Sequence, residues 1–304
     1  MQAPIGVAAT PELVAAVSNA GGLGTLGASW TPLRELRRQL REIKRLTDRP
    51  FAVNLVLAFP QEERLELALA EGVQVIGFAW GSDEALVSRA SSAGALVLVQ
   101  IGSVGEAEAA LRAGAGMLIA QGCEAGGHVQ GTEPLLSLLE ALVPLRAPLI
   151  AAGAIADAVS ARAAVDAGAV AVASGTAFLA AVEADVHPVY RARLLDAGAG
   201  DTVLTTLFDV GWPNAPHRVL GNPTIAAWEE AGRPPPGCRP GEGETIATRA
   251  GREIVRYSDA MPTTATEGAV GELALYAGTG VGSVAAAEPA ARIVERLGKT
   301  LSRG

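Results

Sequence analysis

The chain has 304 residues, of which 49% are hydrophobic and 18% charged, and its formal net charge at pH 7 is -8. This composition supports a sizeable buried core and argues against intrinsic disorder and against a basic nucleic-acid-binding face. The apolar runs are far shorter than the ~20 residues that cross a bilayer, so no membrane-spanning segment is predicted.

Residues 1–182 repeat one unit: a short apolar run, a polar or glycine-containing loop, an amphipathic stretch and an Ala-Gly pair. Continuous apolar runs of this length fit parallel strands that are covered on both faces. Eight runs follow one another along the chain, at residues 5–7, 22–27, 51–57, 73–78, 95–101, 116–120, 148–152 and 169–173.

The segments between the runs have helix boundaries. Thr10 followed by Pro11 predicts an N-cap, residues 31–32 predict a second start of the same kind, and acidic starts lie at residues 82–84 and 103–106. Glycine closes each unit in a position that favours the left-handed conformation. Eight β/α units predict an α/β fold of the TIM (β/α)8 barrel type, with a doubly wound sheet as the alternative.

The repeat stops after residue 183. Residues 185–280 are rich in proline, glycine and threonine, with helices predicted at 188–197, 224–231 and 268–275. We expect an inserted lid or substrate subdomain at 185–284. Residues 1–184 and 285–304 are assigned to the barrel, which an amphipathic helix at 288–297 completes.

The segment Ala-Gln-Gly-Cys-Glu-Ala-Gly-Gly-His, residues 120–128, carries the strongest functional signal. Gly126 and Gly127 allow a backbone to approach a flat or anionic ligand closely, and His128 is one of three histidines in the chain. The pattern fits either a catalytic loop or a simple turn that the histidine caps.

Other strand ends carry polar groups. Glycine loops at 153–154 and 175–176 follow the seventh and eighth runs, where TIM barrels often bind phosphate through backbone N–H groups. Asn54 and Gln100 lie in apolar runs and must find hydrogen-bond partners, either a flavin-like ring or a neighbouring loop.

Together these motifs resemble the nitronate monooxygenases, a family formerly called 2-nitropropane dioxygenase. The Glu-Ala-Gly-Gly-His core is specific to the superfamily, although FMN-dependent enoyl-ACP reductases and NADH:quinone reductases share it. The similar segments lie in the family's order, at residues 2–4, 10–24, 53–55, 99–103, 121–128, 151–155 and 175–176, and more weakly at 276–280 and 290–297.

The resemblance implies a flavoprotein with non-covalent FMN at the barrel mouth. It implies a monooxygenase, an oxidoreductase that converts alkyl nitronates with O2 to carbonyl compounds and nitrite. His128 is implied as the catalytic residue, either as a cation that attracts the nitronate or as a base. The implied cofactor-binding residues are Pro4, Ile5, Gly6, Asn54, Gln100, Gln121, Gly122, Gly126, Gly127, Gly153, Ala154, Gly175 and Thr176.

Two positions depart from the family pattern. Ile5 stands where the family often has methionine. Ala154 replaces the second glycine of Ala-Gly-Gly-Ile, which costs free energy if that position requires a positive φ.

Three rival functions stay open. One is an NAD(P)H-dependent FMN reductase of quinones or enoyl thioesters, the second a flavin-free barrel for a phosphorylated ligand, and the third a partner-binding role for residues 185–280. His187 and His217 are expected to be structural. Trp80, Trp212 and Tyr276 are expected either to line an apolar pocket over the flavin or to pack in the core.

The remaining expectations concern the setting of the enzyme. Cys123 and Cys238 show neither disulfide-framework nor metal-ligand spacing, and no secretion signal precedes the first run. We therefore expect a cytoplasmic protein without a metal site. The partners expected are a small-molecule substrate and O2, without nucleic acid or membrane, and the alanine-rich helices are compatible with a homodimer.

Overall fold

The computed structural model describes residues 1–299, and its centre is a curled seven-stranded parallel sheet in the order β1-β2-β3-β4-β5-β7-β8. Two three-stranded antiparallel sheets accompany it, in the orders β6-β10-β9 and β12-β11-β13. The strands are β1 (Gly24–Gly27), β2 (Phe51–Val56), β3 (Val75–Ala79), β4 (Leu96–Ile101), β5 (Met117–Gln121), β6 (Gly127–His128), β7 (Leu149–Ala152), β8 (Ala171–Ala173), β9 (Thr202–Thr205), β10 (His217–Leu220), β11 (Thr245–Arg249), β12 (Arg252–Val255) and β13 (Thr266–Gly268).

Helices cover the outer face of the parallel sheet and flank the smaller sheets. They are α1 (Pro11–Asn19), α2 (Leu33–Leu46), α3 (Glu62–Ala70), α4 (Glu84–Ser92), α5 (Val104–Ala113), α6 (Leu135–Leu142), α7 (Ala158–Asp166), α8 (Thr176–Leu179), α9 (Pro188–Asp196), α10 (Pro223–Glu230) and α11 (Ala290–Gly298). None of the helices within residues 1–299 is long and apolar enough to span a membrane. Residues 300–304, which we assigned to the barrel, lie outside the described residues.

Seven of the eight predicted strands are confirmed, as β1 to β5, β7 and β8. Their side chains alternate between two apolar clusters, as strands buried on both faces require. Val53 and Leu55 belong to the large cluster under the helices, whereas Ala52, Val75 and Leu98 belong to a small cluster on the other face of the sheet.

The predicted first strand at residues 5–7 is wrong. Residues 6–8 form a 3-10 helix instead. The φ of +55° at Gly6 lies outside the extended region, and Pro4 has no N–H to donate to a ladder. Residues 1–3 lie instead between the two edge strands. The main-chain N–H of Gln2 donates to Leu23 (2.9 Å), and that of Ala3 donates to Ser174 (2.8 Å) beyond the end of β8.

The helix signals were reliable with one exception. Thr10, Asp83 and Ser103 cap their helices by accepting from the backbone N–H three residues later. The glycines predicted to end the repeated units all have positive φ; they are Gly21, Gly72, Gly94, Gly114 and Gly168. The cap predicted at Thr31 is wrong, because α2 begins only after Pro32 and without a side-chain cap.

Beyond residue 183, α9, α10 and α11 confirm three predicted helices. The helix predicted at 268–275 is wrong, since only Val270–Glu272 forms a 3-10 turn. The chain that follows is extended, and Leu275 accepts a hydrogen bond from the Leu220 N–H (2.8 Å) at the end of β10. Pairing with β10 therefore outweighs the local helical pattern.

Candidate active site

The three amide side chains singled out in the sequence lie towards the carboxyl ends of parallel strands. Asn54 lies in β2, Gln100 in β4 and Gln121 at the end of β5. Asn54 is only 6% exposed, and its amide makes no hydrogen bond within residues 1–299. The neighbouring β3 has Gly77 there, where a Cβ would lie 3.0 Å from the Asn54 Oδ1. The Asn54 side chain is thus largely enclosed, while its amide has no protein partner and stays open to a ligand.

The other two amides hold the loop that carries His128. Gln121 Oε1 accepts from the Gln130 N–H (2.9 Å) and from Gln100 Nε2 (3.2 Å), while Gln121 Nε2 donates to the His128 carbonyl oxygen (3.0 Å). Of the two roles left open for Gln100, the structure displays a bond to a neighbouring side chain. The Gln121 amide therefore holds the main chain on both sides of Val129, at the His128 carbonyl and at the Gln130 N–H.

The paired glycines differ in what they do. A Cβ at Gly126 would lie 2.4 Å from the Gly278 nitrogen, so glycine is required there by another segment of the chain. Gly127 has a φ of +74° and open space where a Cβ would point. Close approach to a ligand is therefore available at Gly127 rather than at Gly126.

The two predicted phosphate loops contact the segment at 278–280. Thr176 Oγ1 accepts from the Gly278 N–H (3.0 Å), and a Cβ at Gly280 would lie 2.8 Å from the backbone of Ala154. Ala154 has a φ of +52°, so this departure from the family pattern does place alanine in the left-handed region.

The amino-terminal residues predicted to bind cofactor lie beside these loops. A Cβ at Gly175 would be 3.5 Å from the Ile5 side chain, and the Cα of Gly6 approaches the end of β1 at Gly27. A Cβ at Gly153 would be 3.3 Å from the carbonyl oxygen of Gly122. The structure thus brings residues 4–6, 122, 153–154 and 175–176 to the same end of the sheet.

His128 lies in a cluster of rings that we call the His128 ring cluster, formed with Trp80, Trp212, His217 and Tyr276. Its imidazole stacks on Trp212 with 4.2 Å between centroids and meets Trp80 edge-on at 6.0 Å. The ring nitrogen Nε2 is buried and makes no hydrogen bond within residues 1–299.

Burial, with a smaller contribution from His217, lowers the pKa of His128 from 6.5 to about 3. The imidazole is therefore neutral at pH 7, and only one of its nitrogens carries a proton.

The other histidines are structural, as expected. His217 is fully buried, with Nδ1 2.8 Å from the Ala215 carbonyl oxygen and Nε2 accepting from the Phe208 N–H (3.3 Å), and burial lowers its pKa. His187 caps α9 by accepting from the Val189 N–H.

Two further features near the cluster, the Asp259 carboxyl and the backbone conformation of Trp80, escaped the sequence analysis. Asp259 accepts a hydrogen bond at its carbonyl oxygen from the Tyr276 hydroxyl (2.8 Å), and burial raises the pKa of its carboxyl to about 6. The backbone of Trp80 is left-handed, which sequence does not reveal; its position directly after β3 was the available signal.

Comparison with known proteins gives a consistent family. The sequence profile described as nitronate monooxygenase matches residues 1–63 and 56–299. Nitronate monooxygenase from Pseudomonas aeruginosa is 34% identical over 67% of this chain and 72% of its own. The solved structure titled nitroalkane oxidase from Streptomyces ansochromogenes superposes with a TM-score of 0.78 at 28% identity, covering 99% of this chain and 94% of that one.

A relative with a different activity is also similar. The Mycobacterium tuberculosis protein named (3aS,4S,5R,7aS)-5-hydroxy-7a-methyl-1-oxo-octahydro-1H-indene-4-carboxyl-CoA dehydrogenase is 38% identical over 77% of this chain. The match spans 66% of that relative's length, which is just under two thirds. Enzymes with both names are oxidoreductases.

Proposed function

The chain belongs to the nitronate monooxygenase family, and we propose that it uses FMN and O2 to oxidise alkyl nitronates to carbonyl compounds and nitrite. The observation that carries the proposal is His128, a neutral imidazole with an unpartnered buried nitrogen, next to the end of the sheet where the cofactor residues gather. A small anion with two acceptor oxygens suits such a donor.

The residues at this end of the sheet fit FMN. Asn54 offers an amide that no protein group occupies, and Gly127 offers open space beside a left-handed backbone. We propose that Asn54 and Gly127 contact the flavin ring. The other residues proposed to line the same site are residues 4–6, Gln100, Gln121, Gly122 and Gly126. Gly153, Ala154, Gly175 and Thr176 are proposed for the phosphate. When bound, FMN would accept electrons from the substrate.

We also propose the architecture that this function needs. Residues 1–3, hydrogen-bonded to both edges of the curled sheet, would act as the eighth strand of a closed (β/α)8 barrel. Residues 185–284 would form the lid, since β10 pairs with β6 and Trp212 stacks on His128. Residues 1–184 together with the segment from 285 onward would form the barrel.

The neutral state of His128 argues against one of its two expected roles, that of a cation. A cation that attracts the nitronate would need a pKa near or above neutrality, which the buried imidazole does not have. We propose that His128 donates an N–H hydrogen bond to a nitronate oxygen, which needs no charge on the ring.

A second candidate is oxidation of a carboxyl-CoA thioester. The 38% identity to a carboxyl-CoA dehydrogenase favours it, and a neutral imidazole donor would also suit a thioester carbonyl oxygen. The third candidate function for the same site is NAD(P)H-dependent reduction of a quinone or an enoyl thioester.

One anaerobic experiment separates these functions. The FMN-loaded protein is mixed with propionate-3-nitronate, with an acyl-CoA thioester, or with NADH or NADPH, and the visible flavin absorbance is followed. Bleaching by the nitronate alone supports the proposal. Bleaching by the thioester or only by the nicotinamide moves the assignment, and a protein that takes up no FMN contradicts every flavin function.

A further inference from the structure

Trp80 has a backbone conformation that a large side chain rarely adopts. It follows β3 directly with a φ of +56°, and its N–H donates to Gln130 Oε1 at 3.1 Å. Bulky residues in the left-handed region are unfavourable, and such strain clusters where a site requires a particular side-chain position. Gln130 is itself bonded to Gln121, so the network that holds His128 also holds Trp80.

The indole nitrogen of Trp80 is buried without a partner. Its Nε1 makes no hydrogen bond within residues 1–299, although an indole N–H can only donate and buried donors are nearly always paired. Trp228 illustrates the usual arrangement, because its Nε1 donates to the Pro234 carbonyl oxygen at 2.9 Å. The unpaired donor at Trp80 is thus a local feature of the His128 ring cluster.

Trp80 and His128 are in ring contact, and both have an unpaired buried nitrogen. Their rings are perpendicular with 6.0 Å between centroids, and each keeps a buried nitrogen without a partner. The rings in contact with His128 are Trp80, Trp212, His217 and Tyr276, none of which is cationic at neutral pH. A ligand with two oxygens would satisfy both nitrogens without requiring a counter-charge.

We propose that Trp80 is a second substrate-binding residue, whose Nε1–H donates to one oxygen of the substrate's nitronate group while His128 donates to the other. The inference rests on the proposed function for the identity of that group. The left-handed backbone at Trp80 and its bond to Gln130 position the donor. The Trp80 N–H is unpaired in the free protein because its acceptor is an oxygen of the substrate, which is present only in the complex.

The test is Trp80→Phe, which removes the N–H and keeps an aromatic ring, with Trp228→Phe as the matched control. Nitrite, a planar anion with two oxygens, serves as an unreactive probe, titrated by the change in flavin absorbance. We expect Trp80→Phe to weaken nitrite binding and to lower kcat/KM for propionate-3-nitronate by about 10- to 100-fold. FMN affinity should stay unchanged.

Thermal unfolding distinguishes this role from simple packing. A donor that lacks a partner contributes nothing by hydrogen bonding in the free protein, so Trp80→Phe should unfold within a few degrees of the wild type. 3-Benzothienylalanine keeps the size of the indole and exchanges only its N–H for sulfur. If Trp80→Phe also changes the packing of the cluster, this replacement should still weaken nitrite binding and lower kcat/KM.

The two proposals fail in different ways. A wild-type protein whose flavin the nitronate does not reduce contradicts the proposed function, whatever the variants do. A wild type that oxidises the nitronate, while Trp80→Phe and the benzothienyl variant retain wild-type nitrite affinity and kcat/KM, contradicts the role of Trp80.

Discussion

His128 is the residue on which the proposed chemistry depends. We expect His128→Asn to lower kcat/KM for a nitronate by about 100-fold or more, because the amide cannot reproduce the position of the imidazole N–H in the ring cluster. The FMN spectrum should persist, since His128 contributes to the Gln121 network through its main-chain oxygen. The measurement is steady-state nitrite release alongside the flavin absorbance.

His187→Asn is the matched control for that variant. It removes a histidine that only caps α9, so activity should be retained with at most about 1 kcal/mol of lost stability. Full activity of His128→Asn would remove His128 from the reaction.

Asp259 offers a prediction about pH. Its folded-state pKa of about 6 lies above the ordinary carboxyl value of 3.8, so the folded state binds this proton at a higher pH than the unfolded state does. The carboxyl therefore contributes stability that is fully present below pH 3.8 and is lost as the pH rises through about 6.

Asp259→Asn keeps the shape and removes the charge. At pH 8 it should raise the free energy of unfolding by about 1–2 kcal/mol, less than the full effect of the shift because burial is incomplete. The gain should vanish near pH 4. Urea unfolding across that range measures it, with exposed Asp48→Asn as the control; an equal gain at both pH values would show that charge is not the cause.

The glycine loop after β5 shows how one element constrains another. A Cβ at Gly126 would collide with the backbone at 277–278, so Gly126→Ala should destabilise the protein by about 3 kcal/mol and weaken FMN binding. Gly105, in α5, has nothing within 4 Å of its ideal Cβ. Gly105→Ala should therefore stabilise by about 0.5–1 kcal/mol. Urea unfolding of both variants provides the comparison, and equal midpoints would contradict the packing argument.

Helices and strands whose ends are set by neighbouring residues were predictable. Segments whose conformation depends on hydrogen bonds to distant parts of the chain were not. The N-caps and glycine stops identified most helices because they satisfy the helix's own backbone groups. The helix predicted at 268–275 failed because that segment pairs with β10, far away in sequence. The strand predicted at 5–7 failed because residues 1–3 form the bonds to Leu23 and Ser174 in its place.

The candidate site divides in the same way. The Gly-Gly-His motif and the glycine loops were visible in the sequence, because each follows a strand directly. Trp80, Trp212 and Tyr276 were named as possible pocket residues, but their contact with His128 was not predicted. Trp80 and Trp212 are 132 positions apart, and only the fold brings their ring centroids to 5.0 Å from each other. The lowered pKa of His128 follows from that burial, so no sequence pattern could have predicted it.

At the scale of the whole molecule, a very short segment, residues 1–3, forms hydrogen bonds to both edges of the curled sheet. Gln2 is fully buried, and its side chain accepts from the Thr25 N–H (2.8 Å) and donates to the Thr25 carbonyl oxygen (3.1 Å). The Gln2 side chain therefore takes the place of a main-chain strand partner for Thr25 in β1. Gln2→Ala would leave both backbone groups of Thr25 buried without those partners.

We expect Gln2→Ala to lower the free energy of unfolding by about 2–4 kcal/mol. It should also speed amide hydrogen exchange at Ser174, whose N–H donates to the Met1 carbonyl oxygen (3.1 Å) across the same seam. Gln74→Ala, at an exposed position before β3, is the control and should change neither quantity. If Gln2→Ala exchanged Ser174 at the wild-type rate while losing stability, the side chain would support β1 alone. Faster exchange together with lower FMN affinity would instead tie closure of the sheet to the cofactor loops, because Ser174 immediately precedes Gly175.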